Sequence, residues 1–63
     1  MTFQAHPMID ALEARLLTNV TLSTRHLNGQ RKFVVEAHSN RTSYGNTALQ
    51  AINRFCFNNK IEL

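Results

Sequence analysis

The run VTLSTRHLNGQRKFVVEA, Val20 to Ala37, decides the fold. Asn28-Gly29 at its centre is the strongest short hairpin signal, because a type I′ turn needs two central residues that tolerate positive φ. A turn closed there sets Leu27 opposite Gln30 and His26 opposite Arg31, and carries the pairing out to Val20 opposite Ala37. One face then holds Val20, Leu22 and Thr24 against Phe33, Val35 and Ala37. The other holds Thr21, Ser23 and Arg25 against Lys32, Val34 and Glu36. Turn chemistry and hydrophobic alternation are separate signals, and they agree on one register. A slip of one residue would send every apolar side chain to the wrong face. The run therefore predicts a one-sided antiparallel hairpin over about 20–38.

Outward on the N-terminal side, Pro7 to Leu17 predicts a helix. Proline suits the first helical position, where its missing N–H costs nothing. Asp10 and Glu13 complement the positive end of the helix dipole, and Arg15 the negative end. Ile9, Leu12 and Leu16, with Met8 beside them, recur at helical spacing. Thr18-Asn19 breaks that pattern. Thr2 to Ala5 reads equally as a short strand or a disordered start.

On the other side, Ser39 to Asn46 is polar, contains Gly45 and predicts a loop. Asn46, with Ser43 as the alternative, is the expected N-cap of a helix over about 47–57. Ala48, Ala51, Ile52 and Phe55 follow the amphipathic spacing. Tyr44 extends that line, and Leu49 and Cys56 widen it. Asn58-Asn59 should end the helix, since asparagine tolerates the left-handed conformation common there. Ile61 and Leu63 alternate with Lys60 and Glu62, which would suit a short last strand.

The expected fold is α+β, helix–β-hairpin–helix (αββα, with that short C-terminal strand as an addition). It has two layers, both helices packed on one face of a small antiparallel sheet, with 1–63 as a single small domain. A two-stranded sheet is marginal in water, and both hairpin edges would be open. A homodimer joining hairpin edges into a four-stranded sheet would answer both problems.

Composition bounds function. A chain of 63 residues has a small core and marginal stability. Cys56 is the only cysteine, so an internal disulfide is excluded and a reducing cytoplasm is the natural setting. No apolar run reaches the length of a membrane span or a signal-peptide core, and no membrane partner is expected. Asn19-Val20-Thr21 and Asn40-Arg41-Thr42 match the glycosylation sequon by chance. The formal charge of +3 and sequence pI near 9.8 favour anionic partners, though the excess is modest.

No residue pattern points to catalysis. His6, His26, His38 and Cys56 lack the close paired spacing of metal sites. Cys56 lies on an apolar helix stripe, where a thiol behaves as a small hydrophobe. Asp10, Glu13, Glu36 and Glu62 offer no acid–base pair. Neither Gly29 nor Gly45 belongs to a phosphate-cradling loop. No enzyme, metal or cofactor is expected.

The polar hairpin face is the candidate binding face. Arg25 and Lys32 oppose each other there, Arg31 follows, and Leu27 and Val34 also point outward. Like charges directly opposite cost a few tenths of a kcal/mol, which an anionic ligand would offset. Thr21 and Ser23 could donate to it. Arg41, Arg54 and Phe57 are secondary candidates. Phe57 falls off the apolar stripe of its helix, so it either folds under the tail or stays exposed as an anchor.

The order helix, hairpin, helix resembles a double-stranded RNA-binding domain in topology alone. A third long strand is missing, and the lysine-rich start of that family's last helix reads Asn46-Thr47-Ala48-Leu49 here. The family is not assigned. The expected function is that of a small non-enzymatic regulatory or accessory protein, of bacterial or phage type, that binds and modulates a larger protein or complex. The alternative is a nucleic-acid binder using the basic outer face of the hairpin.

Overall fold

The two-residue turn closes where the sequence places it, with Asn28 at φ 52° and Gly29 at φ 76°. A computed structural model describes residues 2–3, by their backbone alone, and 6–38 and 40–62. Around the turn, β2 (Val20–Leu27) and β3 (Gln30–Ala37) pair antiparallel from Leu27–Gln30 out to Val20–Ala37, in the expected register. Upstream lie β1 (Thr2–Phe3) and α1 (Pro7–Leu16), and downstream β4 (Ser43–Gly45) and α2 (Ala48–Asn58). The sheet order is β1-β2-β3-β4. The fold is α+β, with both helices packed on one face of this small sheet.

Each helix is stopped and started by its own chemistry. His6 caps α1, its Nδ1 accepting from the Met8 N–H at 3.1 Å, with Pro7 at the first helical position. Leu17 ends α1 in the left-handed region at φ 56°, donating its N–H to the Glu13 carbonyl at 2.8 Å. The Glu13 carboxylate reaches past that end and accepts from the Val20 N–H at 3.0 Å, which closes the connection into β2. Thr47, not Asn46, caps α2: its hydroxyl accepts from the Gln50 N–H at 3.1 Å. The Gln50 side chain accepts in turn from the Asn46 N–H at 2.7 Å, a capping box displaced by one residue.

The C-terminus of α2 differs from expectation. The left-handed residue is Lys60, at φ 55°, rather than Asn58 or Asn59. Ile61 donates to the Cys56 carbonyl at 2.8 Å and Lys60 to the Phe57 carbonyl at 3.3 Å, the paired bonds of a Schellman motif. That motif turns the half-buried Ile61 back onto the core. Ile61 and Glu62 therefore form no strand, and Leu63 lies outside the described residues.

The core sits between the sheet and the helices. Ile9 and Leu12 of α1, Val20 and Leu22 of β2, Val35 of β3, and Ala51, Ile52 and Phe55 of α2 make one buried cluster. Strand β4 is the main departure from the sequence reading, since Ser39–Asn46 is expected to be a loop. Ser43, Tyr44 and Gly45 instead pair with Val35, Val34 and Phe33. Three residues are too few for alternation to register, and Gly45 reads as a loop breaker when it is in fact a spacer. A Cβ on Gly45 would stand 2.4 Å from the Ala51 nitrogen and 2.9 Å from its Cα. The glycine lets α2 lie directly on the strand. Both hairpin edges are thus partly occupied, β2 by β1 at Ser23–Thr24 and β3 by β4 at Phe33–Val35. The open-edge premise for a homodimer no longer holds along those stretches.

Gly45→Ala should lower stability by about 1–3 kcal/mol, because the added methyl meets backbone that cannot rotate away; urea denaturation followed by circular dichroism reads this as a lower midpoint. Lys60→Gly should raise the midpoint, with a gain of about 0.5 kcal/mol, since relief of the left-handed strain exceeds the extra chain entropy of glycine.

Candidate functional site

The outer face of the sheet, away from both helices, is largely closed on itself. Residues flanking a two-residue turn form a hydrogen-bonded pair, and such pairs alternate along the ladder. Ser23–Val34 is therefore a hydrogen-bonded pair, and Val34–Tyr44 on the other side of β3 is a non-hydrogen-bonded one, with its side chains close together. Ser23 and Val34 are fully buried although no helix covers them. Val34 is thus not an exposed apolar contact, contrary to expectation. Tyr44 flanks Val34 on β4, and Arg25 reaches across the Ser23–Val34 pair. Its Nη2 donates to Glu36 Oε1 at 2.9 Å, so the side chain crosses over the Ser23–Val34 pair; its Nη1 donates to the Tyr44 hydroxyl at 3.4 Å.

The predicted Arg25–Lys32 opposition exists in the register, but each cation has its own partner. Lys32 turns away from Arg25 and donates to Asn46 Oδ1. Arg31 pairs with His26 and so lies on the helix-bearing side of the sheet, exposed at the hairpin tip. Leu27 is half-buried. The five residues of the expected binding face therefore do not form one surface.

Two of the secondary candidates, Arg54 and Phe57, come together instead. Phe57 stays out of the core at 84% exposure, and Leu49, expected to widen the buried stripe, is 52% exposed. They stand eight residues apart on α2 with Asn53 midway, a slowly winding stripe on one side of the helix. With Thr47, Gln50 and Arg54 they line an open groove of about 550 Å³. Arg54 forms one wall and donates from Nη1 to the Tyr44 carbonyl at 3.1 Å. That carbonyl points outward from β4, because Val34–Tyr44 is the non-hydrogen-bonded pair. Arg41 is fixed at the far end of α2 by its backbone: its N–H donates to Asn59 Oδ1 at 3.0 Å, and its carbonyl accepts from Asn59 Nδ2 at 3.3 Å. Helical spacing alone could have set Leu49 on the same side as Phe57, but the sequence reading placed it on the buried stripe. Tyr44 was not legible, because its role depends on a strand too short to see.

Other features offer less. A second, polar hollow at the open end of the hairpin is lined by Thr18, Asn19, Thr21, Glu36, His38 and Thr42 among others, and its one acid is already held by Arg25. Cys56 is half-buried, and burial pushes its thiol up from the usual range, away from the reactive thiolate. Among the described residues, no group of three or more His, Cys, Asp or Glu is placed to hold a metal ion. No helix there is long and apolar enough to cross a membrane.

No family model, curated protein or solved structure matches the chain. After β1, the order helix, three strands, helix is that of the double-stranded RNA-binding domain. The third strand here has three residues and the start of α2 carries no lysine, so the likeness stays topological.

Arg25→Ala should cost about 1–2 kcal/mol, from the ion pair and from uncovering Val34. Arg25→Met, which keeps the apolar stem, should recover more than half of that loss. Urea midpoints of the two variants and of Glu36→Gln separate covering from charge.

Proposed function

We propose that this chain is a small accessory protein that binds a larger protein or complex and modulates it, through the outer face of α2. The observation that carries the reading is Phe57, a large aromatic side chain left 84% exposed on a chain whose other phenylalanines with described side chains are buried or half-buried. Leu49 extends the apolar surface along the same stripe, and polar Thr47, Gln50 and Asn53 surround it. An aromatic anchor in an apolar centre with a polar rim is the pattern of protein recognition. The hairpin cations support the nucleic-acid alternative less well, because Arg25 is held by Glu36 and Tyr44, while Asn46 draws Lys32 away from Arg25 toward α2. A reducing cytoplasm is the proposed setting, consistent with one half-buried thiol.

Affinity capture from bacterial lysate, after nuclease treatment and at moderate salt, tests this. The native chain should retain a protein that Phe57→Ser, with an unchanged circular dichroism spectrum, retains at least about tenfold less. Equal retention by Phe57→Ser, or recovery of nucleic acid alone, would overturn the reading.

A further inference from the structure

The groove on α2 has charge on one side only. Arg54 stands in its wall, tied to the Tyr44 carbonyl. Lys32 is drawn to the N-terminal end of the same side by Asn46, whose N–H is held by Gln50 of the groove. Arg41 is fixed at the C-terminal end by Asn59. Lys32 and Arg54 are thus set along the seam between β4 and α2 by their side chains, and the Arg41 backbone is anchored at its C-terminal end. No acid faces them from α2, which has none between Ala48 and Asn58. Asp10 and Glu13 belong to α1, which packs over β2, Glu36 is engaged by Arg25 on the outer sheet face, and Glu62 is exposed beyond the turn that ends α2, two residues past the left-handed Lys60.

We propose that this groove binds an acidic amphipathic segment of a partner protein, its apolar side chains seated between Leu49 and Phe57 and its Asp or Glu side chains along the Lys32–Arg54–Arg41 row. The proposal rests on the reading of α2 as a docking face and adds the partner's chemistry to it. The distance from Leu49 to Phe57 is about 12 Å along the helix axis, just over two helical turns. A partner helix presenting apolar residues at i and i+7 or i+8 spans it, and ridges of one helix seat in such grooves of another. The cation row sets orientation and speeds encounter more than it adds affinity, since its members are near solvent. A second copy of this chain fits less well, because an antiparallel pair of α2 faces would bring both cation rows to the same side.

The test is selection from a library of displayed random 16-residue peptides on the full chain, with Phe57→Ser as the subtractive control. Enriched peptides should combine apolar residues at helical spacing with an excess of Asp and Glu. A synthetic peptide of that consensus should bind at least about tenfold more weakly to Arg54→Glu, and one of its single acid-to-lysine versions should regain binding to that variant. Arg41→Glu gives a second charge reversal should Arg54→Glu misfold. Neutral or basic peptides that still require Phe57 would remove the acidic chemistry and leave the docking face standing. Peptides indifferent to Phe57, or no enrichment over the control, would overturn both. Amide shifts at Leu49, Asn53 and Phe57 produced by a single-stranded 20-nucleotide RNA would overturn the proposal in favour of nucleic acid. A two-chain mass by light scattering that Phe57→Ser reduces to one chain would do so in favour of self-association.

Discussion

The approach of Gly45 to Ala51 is the constraint from which the rest of the structure follows. Backbone meets backbone there with no room for a Cβ, so α2 can lie on β4 at one height and one rotation only. That rotation buries Ala51, Ile52 and Phe55 and leaves the Leu49–Phe57 stripe on the far side. The exposed aromatic is therefore a consequence of how α2 is seated. A wider side chain at position 45 would tilt the helix and change which residues face solvent.

Charge is distributed by the same economy. The seven Lys and Arg of the sequence give a basic pI, yet of the hairpin cations Arg25 is spent on Glu36 and Lys32 is drawn toward α2 by Asn46. Arg25 covers the outer side of the sheet as much as it neutralises Glu36. Its apolar stem replaces the second layer that a chain of this size cannot build. A formal surplus of charge is thus a poor guide to a binding face until the partners of each cation are known.

Much of the fold was legible because its central signal is local and redundant. The turn at Asn28-Gly29 and the alternation of Val20, Leu22, Phe33 and Val35 fixed one register, and the helical stripes fixed which face to cover. Strand β4 was not legible, because three residues carry no period and the glycine's job is set by a helix six residues further on. The left-handed Lys60 was missed for a related reason: the Schellman bonds are selected by the apolar pull on Ile61, not by the intrinsic preference of the residue that bends. At the candidate site, Phe57 and Arg54 were visible as residues off the apolar stripe. Their union with Arg41 and Lys32 was not, since it depends on Asn46 and Asn59 side chains that bridge segments 14 and 18 residues apart. Val34 failed as an exposed contact because strand alternation tells which face a residue is on, but not whether a neighbour's long side chain roofs it.

Arg54 occupies the outward carbonyl of β4, the kind of group through which sheets of different molecules stick together. The same guanidinium stands in the wall of the groove. On the proposed reading, the strand edge and the docking groove depend on one side chain. Loss of Arg54 would then weaken the proposed docking face and bare a carbonyl on that edge. Lysine is no easy substitute, because its single ammonium group lacks the fork that can hold the carbonyl and present a second nitrogen outward.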